Sequence, residues 1–304
     1  MALKLDSLTA YVEEQKLPII RKAVIGNRSA KEFALMTGVK GATALNLLST
    51  DVKFGDGTFC GWNEAGTAEL SQRTLTPGVI KVQMSYCQNA LLKYWTNYQV
   101  RVAAGQKNLP FEEEFVNGVI EGIKGALEKA MWQGDTTSSD TNLSKFDGLC
   151  KTLEAATVAG TYTSASGDSV TKIINETYAL IPDADFERGE VVMYVSSANY
   201  RKYIQELIAN GNLVITNAVA DVAMPESVLI PGTNVRVIPV AGLDGASLKA
   251  VASYRDNFVY GVDMADDDEK FDLWYSKDND EYRLAASFVA GVQVAFPDLI
   301  AIAE

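Results

Sequence analysis

Apolar positions recur along this chain at three spacings, and each spacing marks a different region. The helical one is clearest in "PFEEEFVNGVIEGIKGALEKAMWQGD", Pro110 to Asp135. Phe115, Val116, Val119, Ile120, Ile123, Leu127 and Met131 share one broad face of a predicted helix over 110–133. Glu114, Asn117, Glu121, Lys124 and Glu128 form the opposite, polar face. Pro110 suits the first helical position, Glu112 to Glu114 complement the dipole, and Gly134 ends the run. Gly118, Gly122 and Gly125 fall in one seam between the two faces. Each costs roughly 0.8–1 kcal/mol relative to alanine. A seam implies that something packs closely along that edge; the alternative is tolerated glycines with no partner.

The second spacing is strict alternation. Val79 to Tyr86 alternates, and it closes a stretch, 51–87, punctuated by glycines at 55, 57, 61, 66 and 78. This predicts β structure, either an ordinary hairpin or a long ribbon projecting from the body, since Gly61–Gly66 offers little apolar material to bury. "KFDLWYS", "EYRLAASFVAGVQVAF" and "LIAIA" read as closing strands. Phe288, Val292, Val294 and Phe296 are predicted on one face, opposite Gly291, Gln293 and Ala295, and "KDND" as a hairpin turn.

The third pattern mixes both. After a polar loop at 136–148, a helix is predicted from Ser169 to Ile181, stopped by Pro182. A buried strand, "EVVMYVSS", precedes a helix "SANYRKYIQELIANG" capped by Ser197; "NVRVIPV" and "NFVYGV" are further strands. At the start, "SLTAYVEEQK" reads as a helix from Ser7. "SAKEFALMTG" reads as another, with a Ser29–Glu32 capping box and a stop at Gly38, and Pro18 keeps the two apart.

Composition narrows the function more than the fold. The 304 residues, 47% hydrophobic, suffice for a large core. A formal net charge of -12 argues against a reader of nucleic-acid sequence. With no histidine, Ser-His-Asp and Cys-His mechanisms and histidine metal sites are absent. Cys60, Cys87 and Cys150 lack metal-type spacing and read as reduced, buried thiols. No signal peptide is read at Met1, and "LAASFVAGVQVAFPDLIAIA" reads as strand rather than membrane span. The cluster Asp263, Asp266, Asp267, Asp268, Glu269 lacks the spacing of a calcium loop and reads as a solvated turn. No phosphate loop, dinucleotide fingerprint or nucleophile elbow is present. No catalytic, cofactor or metal residue is predicted.

The order of these parts resembles the major capsid proteins of tailed double-stranded-DNA phages, the Hong Kong 97 fold. "ALEKAMWQGD…KFDGLCKTL" is similar to their spine helix and following segment, and "EKFDLWYSKDNDEYRLAASFVAGVQVAFPDLIAI" to their closing hairpin. The resemblance implies an α+β fold: N-terminal arm 1–47, extended β-ribbon loop 48–87, peripheral domain 88–149 with its spine helix, axial domain 150–261, and a return to the peripheral domain over 262–304. It implies a structural shell protein that self-assembles as hexamers and pentamers around packaged DNA, in the virion and in the host cytoplasm during assembly. Portal, scaffolding and decoration proteins would be its other partners, with no membrane and no cofactor. The ribbon starts too early for the long scaffolding segment that some members carry before the arm, which implies a separate scaffold or none. Assembly residues expected on this basis are Lys53, Phe54, Trp62, Arg73, Gly118, Gly122 and Gly125, the glycines admitting backbone or ribbon close to the helix. Lys53 sits where some members cross-link, but no cross-linking partner is identified. The alternatives are an encapsulin-like compartment of the same fold and a histidine-free enzyme using the 263–269 carboxylates.

Overall fold

The computed structural model describes residues 16–54, 58, 66–87, 93, 100, 111–211, 226–263, 270–279 and 281–304. In chain order the elements are α1 (Lys16–Val24), α2 (Arg28–Glu32), β1 (Ala34–Thr37), β2 (Thr43–Asp51), β3 (Thr67–Leu75), β4 (Gly78–Cys87) and the long α3 (Phe111–Gln133). Then follow α4 (Leu149–Glu154), β5 (Gly160–Tyr162), α5 (Val170–Ala179), α6 (Asp183–Arg188), β6 (Val191–Ser196), α7 (Ser197–Ala209), β7 (Val228–Leu229) and β8 (Arg236–Val240). The chain closes with β9 (Ala250–Tyr254), β10 (Phe258–Val262), β11 (Lys270–Ser276), β12 (Glu281–Val294) and β13 (Ala301–Ala303).

Two sheets carry the molecule. In the first, the 14-residue β12 is the spine. It pairs antiparallel with β4 along one edge, and with β11 and then β10 along the other; β1 joins β10 in parallel. Alternate residues of β12, among them Leu284, Ala286, Phe288, Ala290, Val292 and Val294, are buried, as a sheet with one covered face requires. They share one core with Val116, Val119, Ile120, Ile123, Leu127 and Met131 of α3. The second sheet runs β5-β13-β9-β6-β8-β7. All six residues of β6 are buried because Val192 and Tyr194 enter the α3 core while Val191, Met193 and Val195 face a second core under α5 and α7.

β2 and β3 form a separate two-stranded ribbon, in register from Thr43↔Leu75 to Asp51↔Thr67. Its root is fixed by close contacts. Leu75 is fully buried, and a Cβ on Gly261 would meet its side chain at 2.9 Å. A Cβ on Gly291 would meet Pro77 at 2.8 Å.

Several sequence expectations change. The ribbon begins at Thr43, inside the expected arm, and β4 is a sheet strand rather than part of the ribbon, because its apolar residues alternate over a core that the ribbon lacks. β1 likewise belongs to the first sheet, so the helix expected through Gly38 stops at Glu32. Pro18 lies within α1 rather than in a break between two helices. The cap of α2 is Asn27, whose side chain accepts from Ala30 N–H, not Ser29. That of α7 is Ser196, one residue before the expected Ser197. β10 joins the first sheet ahead of the expected boundary at 261, and β13 returns to the second sheet although 262–304 was assigned to the first. The helix expected from Ser7 starts outside the described residues.

Candidate assembly surfaces

α3 is built as the periodicity predicts, with one exception. Glu128, placed on the polar face, is only 5% exposed. Its carboxylate accepts from Ser29 N–H (3.1 Å) and from Ser29 Oγ–H (2.5 Å), and Trp132 Nε1–H donates to the same hydroxyl oxygen (2.7 Å). Burial pushes the Glu128 carboxyl above its ordinary range, with Ser29 and the Arg28 charge offsetting this in part. Asn27 Nδ2 reaches Met131 Sδ at 3.1 Å, and Arg255 donates to the Lys31 and Glu32 carbonyls. Residues 27–29 are therefore tied to α3 by a buried polar clasp that the helical wheel did not reveal. The signal missed was Ser29: it pairs across 99 residues, not with Glu32.

The glycine seam lies on the surface. A Cβ on Gly118, Gly122 or Gly125 would meet nothing within 4 Å, so the expected close partner within the chain is absent among the described residues. Close approach occurs at other glycines. A Cβ on Gly134 would meet Phe146 O at 2.5 Å, one on Gly148 would meet Gly134 N at 2.5 Å, and Gly148 N–H donates to Gly134 O at 2.8 Å. This crossing gives "WQGD…KFDGL" its physical content. Gly242 packs on the Trp132 ring.

Gly118 and Gly122 instead line an open, largely apolar groove of about 420 Å³ between α3 and β4. Its walls are Val82, Met84, Tyr86, Phe115, Val119 and Ile123, and the Tyr86 and Phe115 rings meet edge-on at 5.0 Å. Gly125 borders a different groove, lined by charges of both signs, among them Arg28, Lys124, Arg201, Glu121 and Glu226. The β4 wall was not among the expected site residues; its alternation was read, but not which face looks outward.

The ribbon carries the complementary feature. Leu48 and Leu70 are cross-strand partners and both are exposed, Leu70 at 82%. Val52 follows, and Phe54 is 99% exposed. Lys53 is exposed beside it. Arg73 sits half-buried near the root, its Nε without a hydrogen-bond partner. Trp62 lies outside the described residues, as do Cys60 and residues 264–269 of the acidic cluster. Cys150 is buried, its thiol pushed up to about 12 by burial first, while Cys87 is exposed, contrary to expectation. Among the described residues no acidic or cysteine cluster could hold a metal ion, and no helix is long and apolar enough to cross a membrane.

No protein-family model matches the chain, and no curated protein matches it. Solved structures do. A chain of the satellite phage P4 procapsid superposes with a TM-score of 0.61 over 95% of this chain and 90% of its own, at 12% identity. The chain has the Hong Kong 97 capsid fold. The capsid of a native GTA particle matches with TM-score 0.58 over 93% and 89% at 11% identity. A virus-like particle from Pyrococcus furiosus matches with TM-score 0.54 over 95% and 98% at 12% identity.

Proposed function

We propose that this chain is a major capsid protein: a structural subunit that assembles with its own copies, as hexamers and pentamers, into the icosahedral head of a tailed phage. The observation that supports this best is the pairing of whole-chain likeness to capsid subunits with two unsatisfied surfaces. One is the ribbon, whose Leu48, Leu70, Val52 and Phe54 face solvent. The other is the apolar groove over Gly118 and Gly122. Exposed apolar patches of this kind mark interaction sites. In our reading the ribbon of one copy lies in the groove of the next, where the absent glycine side chains leave room for Phe54. Many such contacts, each weak, close a symmetric shell. The net charge of -12 suits an inner wall that confines DNA without binding it. Portal, scaffolding and decoration proteins would be the remaining partners, and the virion the final location.

The test is negative-stain electron microscopy with sedimentation velocity, on the chain alone and coexpressed with neighbouring genes. Shells, rings or capsomer-sized species are expected. A stable monomer at high concentration in every condition would overturn the reading. A second reading of the same fold is a cellular container, which the likeness to the Pyrococcus virus-like particle fits less well than the capsid reading. Shells purified from a phage-free host with a bound protein cargo and no DNA would favour it.

A further inference from the structure

Asp185 has no role in the surfaces above, and its surroundings are unusual. It sits on the six-residue α6, whose chain neighbours are Pro182 and Gly189. Its side chain is 0% exposed, and neither carboxylate oxygen has a hydrogen-bond partner. The polar cluster beneath it on β9 and the closing turn is otherwise complete. Ser253 Oγ–H donates to Leu299 O (3.0 Å), and Asn257 Nδ2–H donates to Ser253 Oγ (2.9 Å) and to Phe296 O (2.8 Å). Asn257 Oδ1 accepts from Phe296 N–H (2.7 Å). An ionised carboxylate only accepts, and Ser253 and Asn257 have spent their side-chain protons elsewhere. A protonated carboxyl brings one O–H, and Ser253 Oγ retains a lone pair to receive it.

The charged groups that reach Asp185 do not resolve this. Arg188, one turn along α6, lays its guanidinium 4.6 Å over the Phe296 ring and 5.8 Å over that of Tyr254. Asp298, on the closing turn, adds a like charge. Tyr254, the titratable group of β9 nearest the site, is itself pushed up by burial. We propose that Asp185 is a proton-operated pin: protonated, it fastens α6 to β9 through Ser253, and ionised, it loosens that helix from the sheet. Burial first, and Asp298 in a minor way, hold its carboxyl up at about 6; the Ser253 hydroxyl and Tyr254 N–H, which come near it without reaching hydrogen-bond geometry, and the Arg188 charge oppose this. A folded value above the ordinary 3.8 means that the pin tightens as pH falls through 6 and is fully set below the unfolded value. α6 also presents Phe186, packed edge-on against Tyr178 at 6.2 Å between centroids, so the pin governs an apolar surface beside the second sheet. The proposal does not rest on the capsid reading, because its readout is local.

The test is hydrogen exchange with mass spectrometry on the full chain from about pH 8 to pH 5, corrected for intrinsic exchange. Peptides covering 183–190 and 250–257 should gain protection about tenfold across that range, from the two-unit displacement. Asp185→Asn, which supplies a permanent donor, should show high protection at pH 8 and no slope. A flat wild-type profile, or a slope that survives in Asp185→Asn, overturns the proposal. Should that variant fail to fold, Asp298→Asn serves: removing the exposed like charge should move the wild-type midpoint to lower pH, and an unmoved or raised midpoint counts against the pin.

Discussion

Ser29, Gly122 and Gly242 show how a single side chain, or its absence, is read only through its neighbours. The Ser29 hydroxyl stands between Glu128 and Trp132 Nε1. Ser29→Ala would leave Glu128 with one donor and the indole N–H with no acceptor in the clasp. Stranded buried polar groups cost about 1–3 kcal/mol each, so the urea midpoint should fall accordingly, while Ser29→Thr should recover part of the loss. The glycines give opposite signs. Gly242→Ala drives a methyl into the Trp132 ring and should destabilise by about 1–3 kcal/mol. Gly122→Leu meets open space, so helix propensity should raise the subunit's stability by up to about 1 kcal/mol. If the groove receives a neighbour's ribbon, the same leucine fills it and shell yield drops. A variant that melts higher and assembles normally would leave the seam without a partner of any kind.

At the level of elements, the ribbon is the one sheet among the described residues whose strands pair only with each other. Its root is locked by Leu75 against Gly261 and by Gln293 Nε2–H donating to Thr74 O at 2.7 Å. Beyond the root Leu48, Leu70, Val52 and Phe54 face solvent. Replacing 56–66 with a short turn, or Phe54 with aspartate, should therefore leave circular dichroism and melting nearly unchanged while reducing shell yield. A large drop in melting temperature would put that segment in the fold rather than in assembly.

For the whole molecule, the buried and surface carboxylates pull stability in opposite directions with pH. Asp135 and Asp168 are held down to about 2, by Lys151 and Lys172 first. Their contribution is present above the ordinary 3.8 and is lost as pH falls through 2. Asp185 and Glu128 are raised by burial and add stability as pH falls. Thermal melting should consequently rise from about pH 7.5 toward pH 5 and decline below about pH 4. Asp185→Asn should flatten the first limb and leave the second. A melting temperature that falls steadily from neutrality would contradict the burial of these two groups.

The order of elements was legible in the sequence because it rests on local periodicity. α3 stands within a residue of its expected ends, β6 was read as fully buried from its unbroken apolar run, and the β11–β12 hairpin follows from alternation around "KDND". The likeness to capsid subunits followed from that order. What periodicity cannot carry is the partner of each face. A polar residue on a helical wheel is assigned to water, yet Glu128 meets Ser29 from 99 residues away. Glycines that break a helix suggest a close neighbour, yet the backbone contacts form at Gly134, Gly148 and Gly242, where segments distant in sequence cross. β13 joins the second sheet because β5 and β9 offer it edges on both sides, a matter of pairing that no stretch of 301–303 encodes alone. Local spacing sets which elements form; only the packing of remote segments decides which surfaces they bury and which they leave for another molecule.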